Sequence, residues 1–103
     1  MDYRKEIEKE EAKLRVWRKL AEWAEDKENT IKRCEEELEE VEKPFREQIA
    51  AYEEMPFRSE EDEAVLEMAK RSLEKQYEVV WRREELEANL NDLEIIQKLM
   101  KKL

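Results

Sequence analysis

The sequence predicts an all-α protein, an antiparallel helical bundle of three long helices plus a shorter C-terminal helix. Half of the 103 residues are charged, and the chain contains neither glycine nor histidine. Glu, Lys, Arg, Leu and Ala dominate, as they do in long surface-exposed helices. The apolar residues recur at intervals of three and four, which places their side chains on one face of a helix.

The first half of the chain carries a single apolar repeat of 3.5 residues. Eleven of its fifteen positions are apolar, and four are Glu. The apolar members are Tyr3, Ile7, Leu14, Trp17, Ala21, Ala24, Ile31, Leu38, Phe45, Ile49 and Tyr52, and the exceptions are Glu10, Glu28, Glu35 and Glu42. A second apolar face formed by Val16, Leu20 and Trp23 implies two neighbouring helices, which favours a bundle over a two-stranded hairpin.

Two positions in this half could interrupt the repeat. The segment 26–30 is polar and offers an asparagine and a threonine as helix caps, so we predict a turn there between helices at 3–27 and 30–54. Pro44 leaves the repeat in phase, and we therefore predict a kink at Pro44 and not a helix end.

The segment 55–59 is the clearest corner. Pro56 disfavours a helical conformation at Met55, and Ser59 precedes three acidic residues that suit the first turn of a helix. We therefore predict that Ser59 is an N-cap and that a helix covers 60–88.

The apolar stripe changes phase in the last part of the chain. Leu66, Ala69, Leu73, Tyr77 and Val80 share one face, whereas Leu86, Leu90, Leu93 and Met100 lie on the opposite face. Either the helix breaks within 82–91, or one continuous helix buries both faces and its overhang needs a second chain. Asn91 has capping-box spacing with a Glu three residues later, and Asn89 is a second candidate cap. We favour a turn at 89–92 and a final helix at 91–102.

Composition predicts one folded domain over residues 1–103. The net charge of −9 and mean hydropathy of −1.10 would suit a disordered chain, but eight aromatic residues at helical spacings argue against disorder. The single cysteine excludes an intramolecular disulfide, the N-terminus is too charged for a signal peptide, and no apolar run could span a membrane. We therefore expect a cytoplasmic protein.

The negative charge is concentrated in the middle of the chain. Residues 34–63 contain three Lys or Arg against thirteen Asp or Glu. Nucleic acid binding needs a basic surface, so we expect no nucleic acid partner, whereas a basic protein would suit this segment.

The sequence predicts no catalytic, cofactor-binding or metal-binding residues. Carboxylate pairs such as Glu36 with Glu40 and Glu61 with Glu63 are typical of a solvated helix face. Metal sites in helical bundles use histidine, and calcium loops use glycine, and the chain lacks both. We therefore expect a protein that is not an enzyme.

Five side chains remain as candidates for special roles. Cys34 lies on an apolar stripe with Ile31, Leu38 and Val41, so we predict a small buried hydrophobe and not a reactive thiol. We predict that Trp17, Trp23 and Trp81 pack in the core or at its rim, with an exposed anchor for a partner as the alternative for Trp23. Phe57 is predicted to cover the end of the bundle, and an exposed contact is its alternative.

The charged runs Arg4–Lys9 and Glu35–Glu40, together with the absence of histidine, resemble de novo designed helical-bundle proteins. This resemblance implies a scaffold of engineered origin. Cys34, Pro44 and the Met55-Pro56 pair depart from designed sequences, and a design assembled from natural helical pieces fits both sets of features.

A second resemblance is to small phage-type coiled-coil regulators, in which two helices joined by a loop like 54–56 precede a helix-turn-helix domain. The sequence ends at Leu103, where that domain would begin, so no functional residue is carried over.

We therefore expect a stable helical scaffold without catalytic function, which needs no partner or associates with itself. The alternative is a natural coiled-coil interaction module whose acidic middle helix binds a basic partner or mimics nucleic acid.

Overall fold

The computed structural model describes residues 2–103, which form three α-helices and no β-strand. Helix α1 covers Tyr3–Glu53, α2 covers Glu60–Lys75 and α3 covers Tyr77–Lys101. The all-α prediction is confirmed, but the division into three long helices and a short fourth one is not what the structure has. Within the described residues, no helix contains a stretch long and apolar enough to cross a membrane.

Helix α1 runs without a break for 51 residues, so the predicted turn at 26–30 is wrong. The hydroxyl of Thr30, expected to cap a new helix, instead donates a 3.0 Å hydrogen bond to the carbonyl oxygen of Asp26, four residues earlier. A threonine that bonds in this way satisfies its hydroxyl inside a helix. The prediction that the helix continues through Pro44 is confirmed.

The predicted corner at 55–59 is confirmed. Ser59 is the N-cap of α2, and its hydroxyl accepts a 3.1 Å hydrogen bond from the backbone N–H of Asp62. The Asp62 carboxylate in turn accepts a 3.0 Å bond from the Ser59 N–H, which completes a capping box. Helix α2 therefore begins where the Ser-acid pattern places it.

Arg58 does at this corner what a C-terminal glycine does in many helices. Its Nη1 donates to the carbonyl oxygens of Tyr52 at 3.2 Å and Glu53 at 3.3 Å, in the last turn of α1, where the regular helical hydrogen bonds end. Its Nε pairs with Glu63 in α2 at 2.6 Å, and this carboxylate raises the pKa of the guanidinium. No residue from 2 to 103 needs a positive φ.

We expect Ser59→Ala to lower the free energy of unfolding by about 1 kcal/mol, because the backbone N–H of Asp62 loses its capping partner. Urea unfolding followed by circular dichroism measures the change. Ser72→Ala is the matched control, since Ser72 lies inside α2, where alanine is favourable. Equal losses in both variants would contradict the role of the cap.

The second interhelix break lies at Gln76, so the predicted turn at 89–92 is wrong. Gln76 is extended, with φ −60° and ψ 132°, and its N–H donates to the Ser72 carbonyl oxygen at 2.9 Å. Its side-chain oxygen accepts a 3.0 Å hydrogen bond from the N–H of Val79. One residue therefore ends α2 and caps α3.

This break explains the change of phase in the apolar stripe. Buried or half-buried side chains recur along α3 on one repeat, and Val80, Arg83 and Glu85 are half-buried beside it. The repeat is formed by Val79, Arg82, Leu86, Asn89, Leu93, Ile96 and Met100. Val79 is fully buried, whereas Tyr77 is 82% exposed. The phase therefore changes at Gln76 and not after Val80, and α3 is continuous through the region where a break was predicted.

The chain divides into two compact units. Unit 1 contains residues up to Lys32 together with Glu87–Leu103, and unit 2 contains Arg33–Leu86. The buried apolar residues of unit 1 are Leu20, Ile31 and Ile96, and those of unit 2 are Cys34, Leu66, Ala69 and Val79. Within unit 2, ion pairs join α1 to both other helices, from Glu53 to Lys70 in α2 and from Glu42 to Arg83 and Glu37 to Arg82 in α3.

Candidate functional site

Unit 2 contains a cluster of charged side chains between α1 and α3, which we call the ionic layer: Glu37, Glu42, Arg46, Arg82, Arg83 and Glu85. Glu42 is its most buried member, with 3% of its surface exposed. One carboxylate oxygen accepts from Arg83 Nε at 3.2 Å, and the other accepts from Arg46 on the same helix. The two guanidinium groups offset the loss of hydration of the buried carboxylate.

Arg82 forms the second half of the layer. It donates to the carboxylate of Glu37 in α1, and its Nη1 lies 4.0 Å from Glu85 Oε2 one turn along α3. The guanidinium also lies 4.9 Å from the centre of the Trp81 ring, a cation–π contact. Arg82 therefore joins α1 to α3 and shields one face of the indole.

Cys34 lies beside this layer and is fully buried, as predicted. Burial raises the pKa of its thiol above the ordinary value, and the negative charges of Glu85 and Glu37 raise it further against the opposing charge of Arg33. A hydrogen bond from the thiol to Glu85 acts in the same direction. The thiol is therefore protonated at neutral pH, which is the unreactive form.

We expect Cys34 in the folded chain to react with a thiol reagent more than about tenfold more slowly than in urea. Because the folded state favours the protonated thiol, this group contributes stability below the ordinary thiol pKa and loses it as pH rises through the folded value. Absorbance of the released thiol product measures the rate, and Cys34→Ala is the control for the alkaline loss of stability. Equal rates in folded and unfolded chains would contradict the burial.

The ionic layer supplies fixed charges, because each carboxylate described above faces at least one guanidinium or the thiol. Between residues 2 and 103 there is no group of three or more acidic, cysteine or histidine side chains that could hold a metal ion. The acidic pairs predicted to be solvated, Glu36 with Glu40 and Glu61 with Glu63, are exposed. The chemistry that this arrangement supports is electrostatic attachment of one helix to another.

Sequence analysis did not predict the ionic layer, although one signal was present. Glu42 was an exception in the apolar repeat, and Arg46 follows it by four residues, the spacing of an intrahelical ion pair. An acid at a core position with a basic residue one turn later indicates a buried ion pair. Nothing in the sequence identified Arg83 as the partner of Glu42, or Arg82 as the partner of Glu37, across the helices.

Unit 1 contains an apolar groove between α1 and α3, with a volume of about 490 Å³. Its apolar lining consists of Leu20, Trp23, Ile95, Ile96 and Leu99. Lys27 lies at the polar end, where its ammonium group donates to Asn89 at 2.9 Å and pairs with Asp92 at 2.9 Å. Asn89 is therefore used in a contact between helices and not as a helix cap.

We found no matching family model, no similar curated protein and no similar solved structure for this chain. Its site must therefore be understood from its own residues.

The aromatic side chains are more exposed than predicted. Trp17, Trp23 and Trp81 each expose between 44% and 49% of their surface, so none of them lies in the core and only the rim position of the prediction is left. Trp23 is exposed, as its alternative requires, and its role as an anchor for a partner stays a prediction; Lys19 lies 5.8 Å from its ring centre. Phe57 is 91% exposed, so the prediction that it covers the end of the bundle is wrong. Helical spacing identifies a face but not whether a neighbour covers it.

Proposed function

We propose that this chain is a non-catalytic helical scaffold, a bundle whose role is to hold its helices in a fixed register. The observation that carries the proposal is the buried carboxylate of Glu42, held between Arg46 on its own helix and Arg83 on α3. Buried ion pairs contribute little net stability, but they penalise a shifted register, which would leave a charge buried and unpaired. A scaffold needs helices that keep a single register.

Further support comes from the side chains that catalysis could use. The thiol of Cys34 is buried and protonated, and the carboxylates of Glu37 and Glu42 accept hydrogen bonds from guanidinium groups. General acid–base catalysis needs a group that changes its protonation near neutral pH at a place where substrate can reach it. These groups are instead held in contacts between helices.

Native-state hydrogen exchange tests the scaffold proposal. We expect the amides of 34–46 and 79–86 to be the slowest in the chain and to exchange together, because a rigid layer opens only when the unit unfolds. The exposed N-terminal turns of α1 serve as the internal reference for fast exchange. Rapid exchange at the ionic layer would contradict the proposal, since mobile charged residues indicate a site that opens in the native state.

The alternative function, an interaction module, is favoured by a different observation. Trp23, Ile95 and Leu99 each expose more than two fifths of their surface around one groove, and clustered apolar side chains of this kind often mark binding surfaces. An acidic middle segment would add attraction for a basic partner. A salt-dependent complex with a basic polypeptide such as polylysine would support this module, and unchanged sedimentation in its presence would count against it.

The designed origin inferred from composition is also a proposal. It is supported by the charged runs described above and by the helical spacing of apolar residues across all three helices. In this interpretation the scaffold is the whole purpose of the molecule.

A further inference from the structure

The first turns of α1 carry an apolar stripe that none of residues 2–103 covers. We call Tyr3, Ile7, Leu14 and Trp17 the N-terminal stripe; they are exposed by 44% to 72%. Within unit 1, the contacts described between α1 and α3 begin at Leu20, and no residue from 3 to 19 is buried. The stripe continues the repeat that is buried farther along α1, so its geometry is that of an interface between helices.

One flank of this stripe is lined by charges of alternating sign. Arg4, Glu11, Arg18 and Glu25 follow each other at intervals of seven residues, so they lie on the same side of α1. Leu20 and Lys27 line the groove with α3, and Arg18 and Glu25 lie two residues before them. Two residues cover more than half a turn of an α-helix, so Arg18 and Glu25 point to nearly the opposite side of α1. We call these four residues the flanking charges.

None of the flanking charges forms an ion pair with another described side chain. The ion pairs that this part of α1 does form lie at other positions, between Glu10 and Lys13 and between Lys19 and Glu22. The flanking charges are exposed beside an exposed apolar stripe. Charged residues at the edges of an apolar repeat select the partner helix and its direction in coiled coils.

We propose that the N-terminal stripe is a homodimer interface, in which the α1 helices of two copies pack antiparallel about a two-fold axis between Leu14 and Trp17. In an antiparallel pair the second copy presents its flanking charges in the reverse order, so each positive charge faces a negative one and the flank is complementary to itself. Arg4 then faces Glu25 of the second copy, and Glu11 faces Arg18. In the core of this pair Leu14 packs against Trp17 and Ile7 against Ala24 of the second copy, while the two exceptions of the repeat, Glu10 and Glu28, lie opposite Ala21 and Tyr3.

Other arrangements of the same two helices place like charges together. Shifting the antiparallel pair by one heptad brings Glu11 against Glu11 in one direction and Arg18 against Arg18 in the other. A parallel pair brings Glu6 against Glu11 and Lys13 against Arg18. Like charges at these edge positions are unfavourable, so the charge pattern selects one direction and one register.

The interface uses residues of unit 1 alone and does not depend on the ionic layer. The dimer and the scaffold proposal can therefore fail separately: hydrogen exchange at the ionic layer tests the scaffold, and sedimentation tests the dimer.

Sedimentation equilibrium of the full chain at micromolar concentration tests the dimer. We expect twice the chain mass of 12.7 kDa. Glu11→Arg alone and Arg18→Glu alone each create two repulsive contacts in the dimer, so both variants should dissociate with a Kd raised roughly tenfold or more. An equimolar mixture of the two variants should recover a dimer, because every Arg then faces a Glu. The double variant E11R/R18E should recover it as well.

Lys19→Glu is the matched control, because it makes the same change of charge beside Arg18 but on the outer face of α1, and it should leave the dimer intact. Circular dichroism confirms that each variant keeps its helical content. A monomeric wild-type chain would overturn the proposal. So would single variants that remain dimeric, or a mixture of the two that stays monomeric.

Discussion

Replacing Arg46 and Arg83 with methionine in one variant is expected to lower the free energy of unfolding by about 3 kcal/mol. Both guanidinium groups that contact the Glu42 carboxylate are then missing, and the carboxylate lies in a site with 3% exposure. A buried charge without a partner retains its full cost of dehydration. Urea unfolding monitored by circular dichroism measures the loss.

Two further variants show whether this loss comes from Glu42. Adding Glu42→Leu to the double variant should recover most of the stability, because an apolar layer replaces the unpaired charge. Arg71→Met is the control for removing an exposed arginine and should change the free energy of unfolding by less than about 0.5 kcal/mol. A double variant as stable as the wild type would show that Glu42 reaches water in solution.

Truncating Leu66 to alanine is expected to lower the free energy of unfolding by about 3 kcal/mol. Leu66 is 4% exposed and is the largest buried apolar side chain of α2, so its loss removes apolar contacts and leaves a cavity. Met68→Ala, two residues later and on the exposed side of the same helix, should cost less than about 0.5 kcal/mol. Equal losses would mean that α2 does not bury the face containing Leu66.

The corner between α1 and α2 could be predicted because several local signals agree there. Pro56 excludes helix before it, Ser59 is a preferred N-cap, and the acids after Ser59 suit the positive end of a helix. Each of these effects acts within a few residues, so the sequence contains all the information needed. The structure confirms both the N-cap and the first residue of α2.

The two wrong turns share a physical cause. Thr30 and Asn89 are residues that cap helices, but the same polar groups also bond inside a helix or across to a neighbour. The Thr30 hydroxyl bonds within α1, and Asn89 accepts from Lys27. Which of these bonds forms depends on what lies nearby in space, and local sequence does not contain that information.

The break at Gln76 had no recognisable signal, because glutamine is a good helix former and is not among the preferred N-caps. The burial of Glu42 depends on Arg83, which is distant in sequence, so local sequence could not predict it either. The exposure of the tryptophans depended on which faces of α1 and α3 have neighbours. The face that each residue occupies could be predicted from spacing, but the side chain that covers it could not.

The break at Gln76 divides the second half of the chain into two heptad repeats that are out of phase by one residue. Leu66 and Leu73 are one heptad apart, but Val79, the first buried residue of α3, follows Leu73 by six residues and not seven. The extended backbone of Gln76 absorbs this missing position. A single-residue insertion beside Gln76 would therefore bring the two repeats into phase. One continuous helix could then bury both sets of apolar residues on a single face. A single-residue insertion elsewhere in α2 or α3 would instead put part of one repeat out of phase with α1. The chain therefore tolerates a change of length at Gln76 better than at the neighbouring residues.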